Sequence, residues 1–123
     1  MADVGLVRES LDEHKVRCEL TVIPNGELAV RFFEEADADR RPWPDLVILD
    51  LNLPKKPGME VLRRIRSSRV HRDVRVIVLT SSDNQKDREE VASLHPCLYL
   101  RKPSNLDEFL KLGAIFSRNL QHT

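Results

Sequence analysis

Three residues far apart in this chain, Asp50, Thr80 and Lys102, have side chains that together could handle a phosphoryl group. Each closes a short, largely apolar run: Val47-Ile48-Leu49 before the acid, Val76 to Leu79 before the hydroxyl, Leu98 to Arg101 before the cation. An ionised carboxylate is costly to bury without a partner, so an aspartate at the end of an apolar strand needs partners outside the core. A carboxylate can act as a nucleophile and form an aspartyl phosphate. An ammonium and a hydroxyl can hold phosphoryl oxygens as charge develops. A hard divalent cation, usually magnesium, would complete such a site through carboxylates, a carbonyl and waters. Each residue also has a plainer reading: Asp50 as a turn cap, Thr80 as a β-branched strand residue, Lys102 as a solvated loop charge. Their shared position at strand ends favours the chemical reading.

The elements that must position these residues alternate along the chain. Val4, Val7 and Leu11 recur at helical spacing and predict a helix at about 3–14. CELTVI (18–23) reads as a short strand, and Asn25-Gly26 as a turn. Leu28, Ala29, Phe32, Phe33 and Ala36 mark one face of a second helix, and Arg40 to Pro44 form a proline-broken loop. DLVILD (45–50) is a continuous apolar run, as expected of a parallel strand covered on both faces. Val61, Leu62 and Ile65 set a third helix; VRVIVLT (74–80) is a second buried strand. NQKDREEVASL has little to bury beyond Val91, Ala92 and Leu94, so a marginal, mobile helix is expected. CLYLRKP (97–103) is a strand, and Leu106, Phe109, Leu110, Gly113, Phe116 and Leu120 set a final amphipathic helix. Strands separated by helices predict an α/β, doubly wound parallel sheet with right-handed crossovers. Ligands of such sheets sit at the carboxyl ends of the strands, where Asp50, Thr80 and Lys102 fall.

The chain of 123 residues is read as one domain, 1–123. Lysine plus arginine balance aspartate plus glutamate, 20 against 20, so no global field draws in nucleic acid. No apolar run is long enough to span a bilayer and no signal-peptide pattern opens the chain, so a cytoplasmic setting is expected, without nucleic-acid or membrane partners. Cys18 and Cys97 are too few for a disulfide framework and lack metal-ligand spacing. His14, His71, His95 and His122 show no spacing for metal or catalysis and read as surface residues, as does the Lys55-Lys56 pair.

The segments LVILDLNLPKKPGMEVL, VRVIVLTSS and LYLRKPSNLDEFL resemble, in order and position, the receiver domain of two-component response regulators. The resemblance covers essentially the whole chain and implies a flavodoxin-like fold. It implies Asp50 as phosphoacceptor, and Asp50 with the Asn52 backbone carbonyl as ligands of Mg2+. It further implies Thr80 as the switch hydroxyl, Tyr99 as the switch aromatic, Lys102 as a phosphoryl contact, and Lys102-Pro103 as a cis peptide. A core role is the plainer reading of Tyr99. LPKK and CLYLRKPSNLDEF are similar to the single-domain regulators that partner bacterial phytochrome kinases.

The chain departs from the family at its start. A receiver opens with an apolar strand ending in an acidic pair that holds the metal; MADVGLVRESLDEH instead matches the first helix, and Asp3 falls within that helix. In the family order 2-1-3-4-5, the missing strand would lie between neighbours ~4.8 Å to either side. Its loss is expected to be closed by sliding strands, by a strand from another chain or by water, unless the strand lies upstream in a longer protein.

The leading expectation is a stand-alone receiver, not an enzyme in the usual sense. It would take phosphate from a histidine kinase on Asp50 and signal by protein contact. The alternative is a pseudo-receiver, a binding module without phosphorylation because the acidic pair is absent. A phosphatase of the haloacid dehalogenase type is disfavoured: it needs a second aspartate where this chain has Asn52. Leu112 and Ile115 fall outside the inner stripe of the last helix and, with Leu98 and Tyr99, suggest a homodimer or partner face through the last strand and helix.

Overall fold

The computed structural model describes residues 2–69, 72–81, 84–94 and 97–120. Six helices and three strands are assigned among them: α1 (Ala2–Glu13), α2 (Gly26–Asp37), β1 (Leu46–Leu49), α3 (Gly58–Arg66), β2 (Arg75–Thr80), α4 (Gln85–Ser93), β3 (Cys97–Arg101), α5 (Leu106–Leu110) and α6 (Leu112–Leu120). The chain divides into two units, Met1–Val22 with Lys102–Thr123, and Ile23–Arg101. His71, His95, His122 and the Cys97 side chain lie outside the described residues.

The larger unit holds a three-stranded sheet in the order β1-β2-β3, with both pairings parallel. Strands need many consecutive apolar residues when both faces are covered, and β2 meets that demand: Val76 to Thr80 are all buried. β1 does not. Leu46, Val47 and Ile48 are only half-buried, because β1 pairs with β2 alone among the described residues and so forms an edge.

The strand expected at 18–23 is absent; the segment joins no ladder, and among the described residues no fourth strand slides onto β1. A strand is stabilised by a neighbour's row of N–H and C=O groups, and no described segment offers one to these residues. Its backbone is left to water, and Cys18, Glu19, Thr21 and Val22 are exposed.

The core of this unit is built from α2, α3 and the strands. Ala29 and Phe33 of α2 meet Val61, Leu62 and Ile65 of α3, the last three fully buried. Trp43 tilts against Phe33 at 5.3 Å, so the proline-rich loop contributes to the same core. Leu28, predicted on the inner face of its helix, is exposed. Asn25 acts as an N-cap rather than a turn residue: its side chain accepts from the Leu28 amide at 2.9 Å, and Gly26 is the first helical residue.

Three arginines of α3 fix its surroundings. Arg64 pairs with Asp37 at 2.6 Å, and Asp37 also accepts from the Ser68 hydroxyl. Arg66 donates to the carbonyls of Leu94, Arg72 and Val74. Arg63 makes two hydrogen bonds to Glu90 of α4, at 2.5 and 2.8 Å. The Arg63 bonds hold the Glu90 carboxyl below the usual carboxylate range and raise the guanidinium in turn.

In the smaller unit α1 packs on α5 and α6. Val7, Leu11, Phe109, Leu112 and Phe116 are buried there. A Cβ on Gly113 would stand 2.1 Å from the Ser10 carbonyl oxygen, so only glycine permits this approach. His14, exposed as expected, contacts the Leu110 carbonyl. The predicted single last helix is interrupted by a turn at Lys111. The buried stripe nevertheless runs on through it: Phe109, Leu112, Gly113 and Phe116 are buried at helical spacing, so Leu112, expected outside, lies inside, while Leu106, the first residue of α5, is 51% exposed.

Candidate functional site

Asp50 stands immediately after β1, where parallel pairing sets its height against the neighbouring strand. Leu49 is in register with Val78, so Asp50 is level with Leu79 and one residue short of Thr80, the last residue of β2. Both side chains therefore stand at the carboxyl edge of the sheet. Thr80 is 0% exposed and in register with Arg101 of β3. Lys102, the next residue along the chain, is half-buried and begins the second segment of the other unit. Tyr99 lies opposite Val78 in β3 and is half-buried.

The loop after β1 is folded tightly around the acid. The Asn52 amide donates to Asp50 Oδ1 at 2.8 Å, an Asx-type bond that fixes the carboxylate against its own loop. Lys55 adopts a left-handed backbone, φ 71°, which lets the chain reverse towards α3. The Pro54 carbonyl accepts from both Lys56 and Gly26, so the loop is pinned to the start of α2. At its far end the Gly58 amide donates to the Leu51 carbonyl at 3.0 Å. A Cβ on Gly58 would fall 2.3 Å from the Asp50 carbonyl oxygen and 2.6 Å from Leu51 Cα.

Gly58 and Gly26 are thus part of the support for Asp50. Sequence reasoning assigned them no such part, although the glycine that follows Lys55-Lys56-Pro57 was a visible signal. Lys55 is solvent-exposed as expected, whereas Lys56 is half-buried and pairs with Glu60 at 3.7 Å.

The ligands that the resemblance supplies for a metal are the Asp50 carboxylate and the Asn52 carbonyl. Magnesium favours six oxygen ligands and dehydrates reluctantly, so it usually keeps several waters and is bound through one or two carboxylates. Among the described residues no group of three or more His, Cys, Asp or Glu side chains stands together. Asp50 is the one carboxylate in the donor set that the resemblance supplies, so water would have to fill most of the remaining positions.

The sheet, the acid at its carboxyl edge and the buried hydroxyl one strand away agree with an independent match. The response regulator receiver domain model fits residues 4–113. This chain belongs to the response regulator receiver family. It is 38% identical over 112 residues to response regulator Rcp1 of Synechocystis, covering 90% of this chain and 76% of that protein. The solved Mn(2+)-bound form of Rcp1 superposes with a TM-score of 0.85 at 37% identity, covering 99% of this chain and 89% of that one. The phosphorylated cyanobacterial phytochrome response regulator RcpA gives 0.82 at 33% identity, over 94% and 83% of the two chains. The fold is accordingly the α/β flavodoxin-like receiver fold, and the chain is related to phytochrome response regulators. Receiver domains are generally signalling modules rather than enzymes. No helix of the described residues is long and apolar enough to cross a membrane.

Proposed function

We propose that this receiver accepts a phosphoryl group on Asp50 from the phosphohistidine of a sensor kinase of the phytochrome type, and signals through protein–protein contacts. The observation that carries the reading is the Asp50 carboxylate, held by the Asn52 amide at the carboxyl edge of β1 beside the strand that ends in Thr80. In the transfer a carboxylate oxygen of Asp50 attacks phosphorus, the P–N bond breaks, and its electron pair returns to the imidazole ring of the kinase. The product carries about two negative charges at neutral pH. Thr80 supplies a hydroxyl donor for one phosphoryl oxygen and Lys102 a cation for another, while Tyr99 follows the state of the site as its switch aromatic. Leu98, 38% exposed on β3, offers an apolar contact for the partner or a second copy.

A pseudo-receiver is the second reading, favoured by the absence of an acidic cluster among the described residues. Intact mass after incubation with acetyl phosphate, with and without magnesium, separates the two. A phosphoryl adduct lost in Asp50→Asn supports the first reading. A folded wild-type protein that gains no adduct supports the second.

A further inference from the structure

α4 is held weakly by its own apolar residues. Val91 is buried, but Ala92 is exposed and Leu94 only half-buried. Its carboxyl half is tied to α3 by polar contacts, Glu90 to Arg63 and the Leu94 carbonyl to Arg66. On the amino side of Val91, and three residues before it, the exposed Arg88 places its guanidinium carbon 4.7 Å from the centroid of the Tyr99 ring. That separation is within cation–π range. A planar guanidinium can lie over a ring in a way that a neutral amide of similar length cannot.

We infer that Arg88 is a positioning residue for Tyr99: its guanidinium holds the ring in its resting place and thereby ties the amino half of α4 to β3. The inference rests on the reading of Tyr99 as the switch aromatic, and it adds a cause for the ring's position. Movement of the ring then frees α4 at the end that α3 does not hold, and displacement of α4 frees the ring.

Tyr99 is the sole tyrosine of the chain, so protein labelled with 13C-tyrosine gives one set of ring signals. These are recorded without any phosphate donor for wild type, Arg88→Lys and Arg88→Gln, with amide hydrogen exchange in α4 measured on the same proteins. Arg88→Gln is expected to shift the ring signals and to lower the held-to-released ratio about two- to fivefold, the size expected of an exposed cation–π contact. Exchange of the α4 amides should accelerate by a similar factor. Arg88→Lys, which keeps the cation but not the planar guanidinium, should fall between wild type and Arg88→Gln in both. Unchanged ring signals and exchange in Arg88→Gln overturn the inference. So does an Arg88→Lys protein altered as much as Arg88→Gln, since a bulk effect would then explain both. Acetyl phosphate labelling of the same wild-type sample reports separately on phosphorylation. A missing adduct defeats the proposed function and leaves the ring measurements to decide on Arg88.

Discussion

Replacing Gly58 by alanine tests whether the support of Asp50, the proposed phosphoacceptor, is as tight as its geometry indicates. The added Cβ would stand 2.3 Å from the Asp50 carbonyl oxygen, about 1 Å inside ordinary van der Waals contact. The atoms it meets belong to the backbone, so no side chain can swing aside. Either the start of α3 retreats or the end of β1 shifts. Overpacking of this kind costs about 1–3 kcal/mol. Retreat also stretches the Gly58–Leu51 hydrogen bond, about 1 kcal/mol more. Alanine's higher helix propensity returns at most ~1 kcal/mol. The net destabilisation is about 1–3 kcal/mol. With a urea slope of roughly 1.5 kcal/mol per molar, the unfolding midpoint should fall by about 0.7–2 M. A midpoint within ~0.2 M of wild type at unchanged slope would refute the argument that α3 is seated on the Asp50–Leu51 backbone.

Gly5 provides the opposite case: it lies within α1, and a Cβ added there would meet nothing within 4 Å, so Gly5→Ala should raise stability by about 0.5–1 kcal/mol in the same titration. Asn84 caps α4 by accepting from Lys86 and Asp87, so Asn84→Ala should cost about 1 kcal/mol and speed amide exchange in α4 before that in α3. Glu90 is held below its usual range first by its hydrogen bond to Arg63, so its contribution is present at neutral pH and is lost as pH falls below about 4.5 towards its folded value. Unfolding midpoints of wild type and Glu90→Gln should therefore converge as the solution is acidified through that range, with only a small gap at pH 7 because the pair is largely exposed.

The strands at 46–49 and 75–80 were legible because burial on a parallel sheet demands runs such as Val47-Ile48-Leu49 and Val76-Ile77-Val78-Leu79, which few other settings require. The strand-end positions of Asp50 and Thr80 were legible for the same reason, since each ends a run. CELTVI shows the limit of that logic. Its composition suits a strand, but pairing depends on a neighbour remote in sequence, and no local signal reports whether that neighbour is in place. Leu112 shares a buried stripe with Phe109, Gly113 and Phe116, whereas Leu106, the first residue of α5, is left exposed; apolar periodicity alone did not say which of two adjoining stripes is covered. Gly26 and Gly58 matter through close approaches made only when loop and helix meet. Arg88 gave no signal at all: on a polar helix it looks like any other solvated charge.

The edge formed by β1 has a consequence for handling the protein. Exposed strands are a template for aggregation, and natural edges are commonly blunted by lysine, proline or a bulge. Leu46 to Leu49 carry none of these, and what flanks the run is Asp45 on one side and Asp50 on the other. Those two charges act as gatekeepers against strand-to-strand stacking. The Asp50→Asn protein used as a phosphorylation control therefore also removes one of the two gatekeepers. Its monodispersity should be established at the working concentration before a lost adduct is credited to the chemistry.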